Sequence, residues 1–361
     1  MSAFLMNTWY MGAWGHELTD APLSRRLLGV TMLFYRLGDG SVTALRDRCP
    51  HRFAHLSKGR LVGDNIQCPY HGLVFDPTGR CVDAPLANEV PNAKVQNFPV
   101  VERNNIIWFW PGDPEKADPG LIPDFSYLED EAYRPVYGMT PVAAHYEVET
   151  DNLMDLSHVN WVHPPFSGAM SRDNSRYNAW RDGDAIHSNW FTQGGNNPPV
   201  YEYGSFPTNG GLIDQWIEMR WNAPAAMFLE IAVTKTGEPR AEGLAVVSCH
   251  ILTPETENST VYFWSTSLPV SDPMPEEIFQ QLVAQAFDNE DKPMLEDVER
   301  QMGTSDLLSL KPVILPSDRG AIMARRTMAA LIRKEREGTT EDVLEDEGEV
   351  EVNHELSAAA E

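Results

Sequence analysis

Between residues 8 and 110, short runs of β-branched and aromatic residues alternate with clusters of Gly, Pro, Asn and Asp, which predicts brief strands joined by tight turns. Residues 27–35 form one such run, and the turn Gly38-Asp39-Gly40 leads to a second at 42–46. A third at 73–76 turns at Pro77-Thr78-Gly79, and 106–110 closes the set. Residues 111–124, rich in Pro, Asp and Gly, predict a linker. Beyond it, strand-like runs at 145–150, 213–221, 226–234, 244–252 and 260–268 predict an antiparallel sheet. Helices are expected at 151–163, 276–302 and 317–337. In the last, Ile322, Met323, Met328, Leu331 and Ile332 recur among basic residues as a core-packing stripe. Strands and long helices without β-α-β alternation place the chain in the α+β class. The expected division is an all-β domain at 1–115, a sheet-and-helix domain at 116–338 and an acidic tail at 339–361.

A length of 361 residues accommodates two domains of ordinary size, each with its own core. The formal charge of −25 argues against a nucleic-acid or anionic-membrane partner. Residues 341–361 hold many carboxylates and no Lys or Arg, so that tail is expected to be disordered and solvated. No run approaches the roughly 20 apolar residues of a transmembrane helix. Arg25-Arg26 ahead of LLGVTMLFY superficially suggests a twin-arginine signal, but acidic residues precede it and no small-residue cleavage site follows, so it reads as a strand. There are four cysteines. Cys81 and Cys249 have no pairing pattern, so a buried thiol is expected at Cys81 and a reducing cytoplasm is the default location.

The other two cysteines carry the chemistry. Cys49-Pro50-His51 and, after sixteen intervening residues, Cys68-Pro69-Tyr70-His71 each offer one thiolate and one imidazole. A Rieske [2Fe–2S] centre takes two Cys on one iron and two His on the other. Zinc also accepts two Cys and two His, but its usual spacings keep like ligands together. Mixing them within both loops favours the cluster, with His51 and His71 on its outer iron.

An electron-delivering cluster implies a redox acceptor. Within 151–163, Asn152, Asp155 and His158 follow at spacings of three and share a face of a regular helix. His163, five positions after His158, converges with it only if the last turn opens, as in a π-type turn; Pro164-Pro165 ends the helix there. Two His and one carboxylate make a facial triad with open positions for O₂ and substrate. The carboxylate must come from elsewhere, and Asp288, Glu290, Asp291, Glu296 and Asp297 on the 276–302 helix are the candidates.

The segments CPHRFAHLSKGRLVGDNIQCPYHGLVFDPTGRC and DNLMDLSHVNWVH resemble the Rieske domain and the mononuclear-iron helix of non-haem iron ring-hydroxylating oxygenases. The likeness spans about residues 5–335 and is to the short O-demethylating members, the vanillate O-demethylase and dicamba monooxygenase group. It implies a helix-grip catalytic domain, and it favours Asp291 as third ligand, with Asp297 the runner-up. It also implies that Asp155 bridges the cluster of one subunit to the iron of its neighbour, hydrogen-bonding His71 and His158 in a head-to-tail homotrimer. His250, in CHILTPET, matches a pocket position of these relatives, and Asn152, Leu282 and Phe287 are further pocket candidates.

The expected function is the terminal oxygenase of a monooxygenase system that demethylates or dealkylates an aromatic compound at O or N. Ring or aryl-methyl hydroxylation, including cis-dihydroxylation, is the alternative. A Rieske electron-transfer protein needs only the first domain, and a zinc module conflicts with the ligand mixing. No flavin or nicotinamide fingerprint and no plant-type ferredoxin Cys set is present, so electrons from NAD(P)H must arrive through a separate reductase, with or without a ferredoxin.

Overall fold

The computed structural model describes residues 4–338; the acidic tail lies outside the described residues. Eleven short strands come first: β1 (Tyr10–Trp14), β2 (Leu23–Leu27), β3 (Val30–Arg36), β4 (Val42–Arg46), β5 (Arg60–Val62), β6 (Asn65–Gln67), β7 (Val74–Phe75), β8 (Cys81–Asp83), β9 (Asn97–Phe98), β10 (Val100–Arg103) and β11 (Ile106–Phe109). They form three sheets in the orders β1-β11-β10, β2-β3-β4-β9 and β5-β6-β7-β8. Arg25-Arg26 does lie in a strand, β2. The run at 27–35, however, is a hairpin and not one strand. Leu28 and Gly29 take φ of 51° and 75° and reverse the chain between β2 and β3, as a two-residue hairpin turn requires.

Seven long strands follow: β12 (Tyr133–Val142), β13 (Ser175–Asp182), β14 (Ala185–Asn196), β15 (Leu212–Asn222), β16 (Ala226–Lys235), β17 (Leu244–Thr256) and β18 (Ser259–Pro269). They make one antiparallel sheet in the order β12-β18-β17-β16-β15-β14-β13. The apolar runs at 213–268 mark β15 to β18. The polar sequence SRYNAWRD of β13 escapes a hydrophobicity reading because much of that edge strand faces solvent.

Among the described residues, five α-helices complete the fold: α1 (Tyr146–Met154), α2 (Val159–Val162), α3 (Glu276–Ala284), α4 (Lys292–Met302) and α5 (Arg319–Glu337). The run at 145–150 is helical, contrary to its strand-like alternation. His145 caps α1 by accepting the Glu147 N–H. Glu147 and Asp151, one turn apart, both reach the buried Arg325 of α5. That ion cluster ties α1 to α5, and tertiary context overrides the local pattern. The helix expected at 151–163 is broken at Asp155, where φ −114° and ψ 84° leave the helical region. Between α3 and α4 the helix widens into a π-turn at Gln285–Asp291.

The expectation of one core per domain is also corrected. The larger core runs without interruption from Trp14, Phe34 and Phe109 into Trp221, Phe263 and Met328. Polar contacts cross the same boundary. Thr253 Oγ1 donates to the Met11 carbonyl, Trp14 Nε1 to that of Gly138, and the Leu28 N–H to that of Pro254. A separate small core, with Tyr35, Leu45, Leu56 and Phe75, lies under the Cys-His loops. Gly138 is required by close approach: a Cβ there would lie 2.0 Å from the Trp264 ring, which crosses β12 to donate from Nε1 to Thr140 Oγ1 at 3.0 Å.

Candidate metal centres

The two Cys-His loops repeat one backbone design. The Cys49 N–H donates to the Ala54 carbonyl and the Phe53 N–H returns to the Cys49 carbonyl, both at 2.9 Å. Likewise the Cys68 N–H donates to the Leu73 carbonyl at 2.8 Å and the Gly72 N–H to the Cys68 carbonyl at 3.1 Å. The fifth residue of each loop needs positive φ, 63° at Phe53 and 77° at Gly72. Glycine meets that need without strain, and in the first loop the Arg48 guanidinium stacks 4.0 Å over the Phe53 ring.

This design buries both thiols and exposes both imidazoles. The His51 and His71 rings stand edge to face at 4.5 Å. Burial, together with the adjacent Cys68, pushes the Cys49 thiol up to about 11. Two neighbouring thiolates in an apolar pocket need a cation between them, so this donor set fits iron.

The second centre is built by the breaks that end α1 and α2. Asp155 leaves the helix, and its Oδ1 accepts the Ser157 N–H at 3.0 Å, restarting the chain as a 3₁₀ turn at Leu156–His158. His163, with φ −115° and ψ 81°, leaves α2 ahead of Pro164-Pro165. These two exits bring the rings of His158 and His163 to 5.3 Å. No π-turn occurs between them; the π-turn is in the opposite helix, where it carries Asp291. Asp291 Oδ1 lies 3.2 Å from His163 Nε2 and 3.7 Å from His158 Nε2.

Each imidazole is oriented through its other nitrogen. His158 Nδ1 donates to the Asp155 carbonyl at 2.6 Å, and His163 Nδ1 to Glu290 Oε2 at 2.7 Å. Carbonyl and carboxylate only accept, so the protons sit on Nδ1 and both Nε2 lone pairs face Asp291. Asp291 is 4 % exposed, and its Oδ1 is a buried oxygen without a hydrogen-bond donor. Two imidazole lone pairs around an orphaned carboxylate oxygen fit a divalent iron. Among the described residues, these three form the one group of His, Cys, Asp or Glu whose ligand atoms all lie within 4.8 Å of one another.

The remaining carboxylates are engaged elsewhere. Asp288 accepts from Thr140 Oγ1, and Glu296 accepts the Ala143 N–H. Asp297 is 55 % exposed and pairs with Arg300, so the runner-up is not at the centre. Glu290 has a role the sequence did not separate from its neighbours. The π-turn lets two consecutive acids reach opposite edges of one imidazole, and nothing in the periodicity announces it.

Residues 8–99 match the family model for the Rieske [2Fe-2S] domain, and residues 142–334 match that for the vanillate O-demethylase oxygenase C-terminal domain. The chain is 40% identical to the oxygenase component of dicamba O-demethylase from Stenotrophomonas maltophilia, over 91% of its own length and 98% of that protein's.

This chain belongs to the Rieske non-haem iron oxygenase family.

It is likewise 38% identical to the oxygenase component of chloroacetanilide N-alkylformylase from Rhizorhabdus wittichii, over 92% of this chain and 97% of that protein. The crystal structure of dicamba monooxygenase with non-heme iron and dicamba superposes with a TM-score of 0.80 at 37% identity, covering 93% of this chain and 99% of that one. As a member, this oxygenase is an oxidoreductase acting with O₂, and its metal groups are a Rieske [2Fe–2S] cluster and a mononuclear non-haem iron. O- and N-dealkylating systems are what these relatives serve, which bears out the dealkylating reading over the ring-hydroxylating alternative. The name oxygenase component implies a separate reductase. No described helix is long and apolar enough to cross a membrane.

The oxygenase's remaining site candidates fall in different places. His250 on β17 is 2 % exposed, and its Nδ1 meets the Tyr262 hydroxyl of β18 at 2.6 Å. Burial pulls this imidazole down to about 3, so it works as a neutral ring. Its Nε2 is buried without a partner. Phe287 packs between His250, Tyr262 and Trp264, with centroids 5.6, 5.4 and 5.2 Å away. Asn152 is half-buried and makes no side-chain hydrogen bond among the described residues. Leu282 instead lines a cavity of about 400 Å³ with Val200, Tyr203, Met274 and Ile278, which includes no triad residue. Asp155 departs from the family expectation. Its carbonyl, not its carboxylate, holds His158, and its Oδ2 accepts from Ser317 Oγ at 2.9 Å.

A pH dependence follows from the ligand environment. In the metal-free site burial lowers His163, but the charges of Asp291 and Glu290 and the hydrogen bond to Glu290 outweigh it and raise the pKa overall. If His163 is a ligand, iron needs its neutral ring, so protons compete with the metal increasingly as pH falls below the raised pKa and binding weakens. Iron per chain, assayed after gel filtration between about pH 8 and about pH 5, should fall, with the loss starting nearer neutrality than an ordinary histidine gives. Full retention at the acid end would place the metal on other residues.

Proposed function

We propose that this chain is the terminal oxygenase of a system that oxidatively removes a methyl or other alkyl group from O or N of an aromatic compound, using electrons from NAD(P)H passed on by a separate reductase, with or without a ferredoxin. One observation carries the reading. His158, His163 and the orphaned Oδ1 of Asp291 converge in a chain that also buries a thiol pair beneath two exposed imidazoles. Cys49, Cys68, His51 and His71 hold the cluster, and His158, His163 and Asp291 hold the iron. When bound, the iron supplies O₂ activation at the positions its three protein ligands leave open.

The protein's own residues do the rest. Glu290 and the Asp155 carbonyl keep both Nδ1 atoms protonated and both rings fixed. Phe287 and Trp264 keep water from the sheet side of the pocket, and His250 donates to a substrate oxygen. Among the described residues Tyr262 has no hydrogen-bond partner but His250 Nδ1; with Tyr262 as the donor there, the His250 proton sits on Nε2. Asn152 is a second orienting group. A carbon hydroxylated beside O or N then breaks down to an aldehyde and a phenol or amine.

Electron transfer from the cluster passes between subunits, with Asp155 as the bridge to His71 of a neighbouring subunit, in a homotrimer. Exposed aromatic residues support this arrangement. Phe53 and Tyr70 flank the cluster histidines at 61% and 64% exposure, and Trp161, between the iron histidines in sequence, is 85% exposed. Four unpaired cysteines fit a reducing cytoplasm.

Turnover under ¹⁸O₂ tests the reaction class. Label should appear in the aldehyde, trapped before it exchanges with water, and not in the phenol or amine, with one aldehyde per NADH. A cis-dihydrodiol carrying both labelled atoms would identify a ring dioxygenase.

A further inference from the structure

On α1, Glu147 and Asp151 face Arg325, but Glu149 lies between them and projects to the opposite side of the helix, toward the sheet. It is 1 % exposed, and neither carboxyl oxygen has a hydrogen-bond partner. No cation among the described residues pairs with it. It is close enough to Asp291 and Tyr262 for the Asp291 charge to act on it and for its own to act on Tyr262. Asn152 follows it at i+3 on the same face. The Nε2 of His250, whose Nδ1 meets the Tyr262 hydroxyl, is the second buried and unpaired polar atom in this region.

An unpaired buried acid is costly, and a leucine would fill its place with no such penalty. A carboxylate here would be an uncompensated buried charge, so the group is carried as the acid, with one O–H to donate. Burial acts the same way and raises its pKa well above the ordinary range. What the fold leaves unsatisfied, a bound molecule can satisfy.

We propose that Glu149 is a specificity-determining residue of the substrate pocket, donating with His250 to the carbonyl oxygen of an uncharged aromatic amide and disfavouring substrates that carry a carboxylate. This rests on the dealkylation reading and narrows its substrate class. An amide carbonyl accepts both donors without bringing charge. A carboxylate would enter a pocket with no cationic side chain among the described residues to pair with it, beside an iron whose charge Asp291 already offsets in part, and would be desolvated at a loss.

The test uses the iron-loaded holoenzyme with neither O₂ nor reductant, and calorimetry with two probes of matched shape, 2-methoxybenzamide and 2-methoxybenzoate. Wild type should bind the amide at least about tenfold more tightly than the acid. Glu149→Leu should lose about tenfold in amide affinity, roughly one buried hydrogen bond, while its Tm rises by about 2–4 °C as the orphan acid disappears. Glu149→Gln, which still donates from its amide, should keep amide binding within about threefold of wild type. Equal binding of the two probes, binding of neither, or unchanged amide binding in Glu149→Leu overturns the proposal. Formaldehyde release on adding O₂ and reductase is scored separately. An amide that binds in the expected pattern without releasing formaldehyde keeps Glu149 in its role and removes the dealkylation reading instead.

Discussion

Asp291→Ala is expected to empty the mononuclear iron site and abolish aldehyde formation, while the visible absorption of the [2Fe–2S] cluster stays unchanged. The carboxylate is buried, and its Oδ1 lies 3.2 Å from His163 Nε2 and 3.7 Å from His158 Nε2. Its neighbouring acids on the same helix are engaged elsewhere. Glu290 is held by His163 Nδ1, Asp288 by Thr140, and Glu296 by the Ala143 N–H. Loss of an outer partner of a metal ligand typically costs about 10–100-fold, and loss of one ligand in three should exceed that. Asp297→Ala removes an exposed side chain paired with Arg300 and should leave activity within about twofold of wild type. Iron analysis and formaldehyde assay on both variants decide the matter. Iron retained in Asp291→Ala and lost in Asp297→Ala would reverse the assignment.

Asp155→Asn should separate electron delivery from metal binding. Asparagine keeps an oxygen for the Ser157 N–H and room for the Ser317 contact, and the carbonyl that orients His158 is untouched. Both metals should therefore stay bound. What disappears is the charged acceptor that the proposed bridge offers to His71 of a neighbouring subunit, and turnover should fall on the order of 100-fold. Stopped-flow reduction of the cluster by the reductase should proceed at the wild-type rate, with oxidation of the reduced cluster slowed. Near-normal turnover would reduce Asp155 to a helix cap, and loss of iron would make its role structural at the metal.

The Rieske loops were legible from sequence because their chemistry is local. A Cys and a His two or three positions apart fall within one tight turn, and the turn's hydrogen bonds and one positive φ are satisfied inside the loop itself. The apolar runs of β15 to β18 were legible too, since both faces of those strands are largely buried. Family resemblance rested on these same local signatures. The polar edge strand β13 and the helical state of 145–150 were not legible. Their conformations answer to the sheet edge and to Arg325, which lies 174 residues from Asp151.

The iron centre divides along the same line. His158 and His163 stand out as a pair in sequence, but a regular helix five residues long does not converge them. The chain exits at Asp155 and His163, set by an aspartate cap and a Pro-Pro stop, do. Among several acids in DNEDKPMLED, only packing distinguishes Asp291 from Asp297, because a π-turn rotates the helix so that Asp291 and Glu290 both meet His163 while Asp297 points to solvent. Sequence alone determined which chemistries the chain carries, since residue type and short spacing decide what a loop can ligate. The tertiary structure decided which distant side chains share a site and which are left unpaired, as at Glu149, since burial and partners are properties of the packed chain.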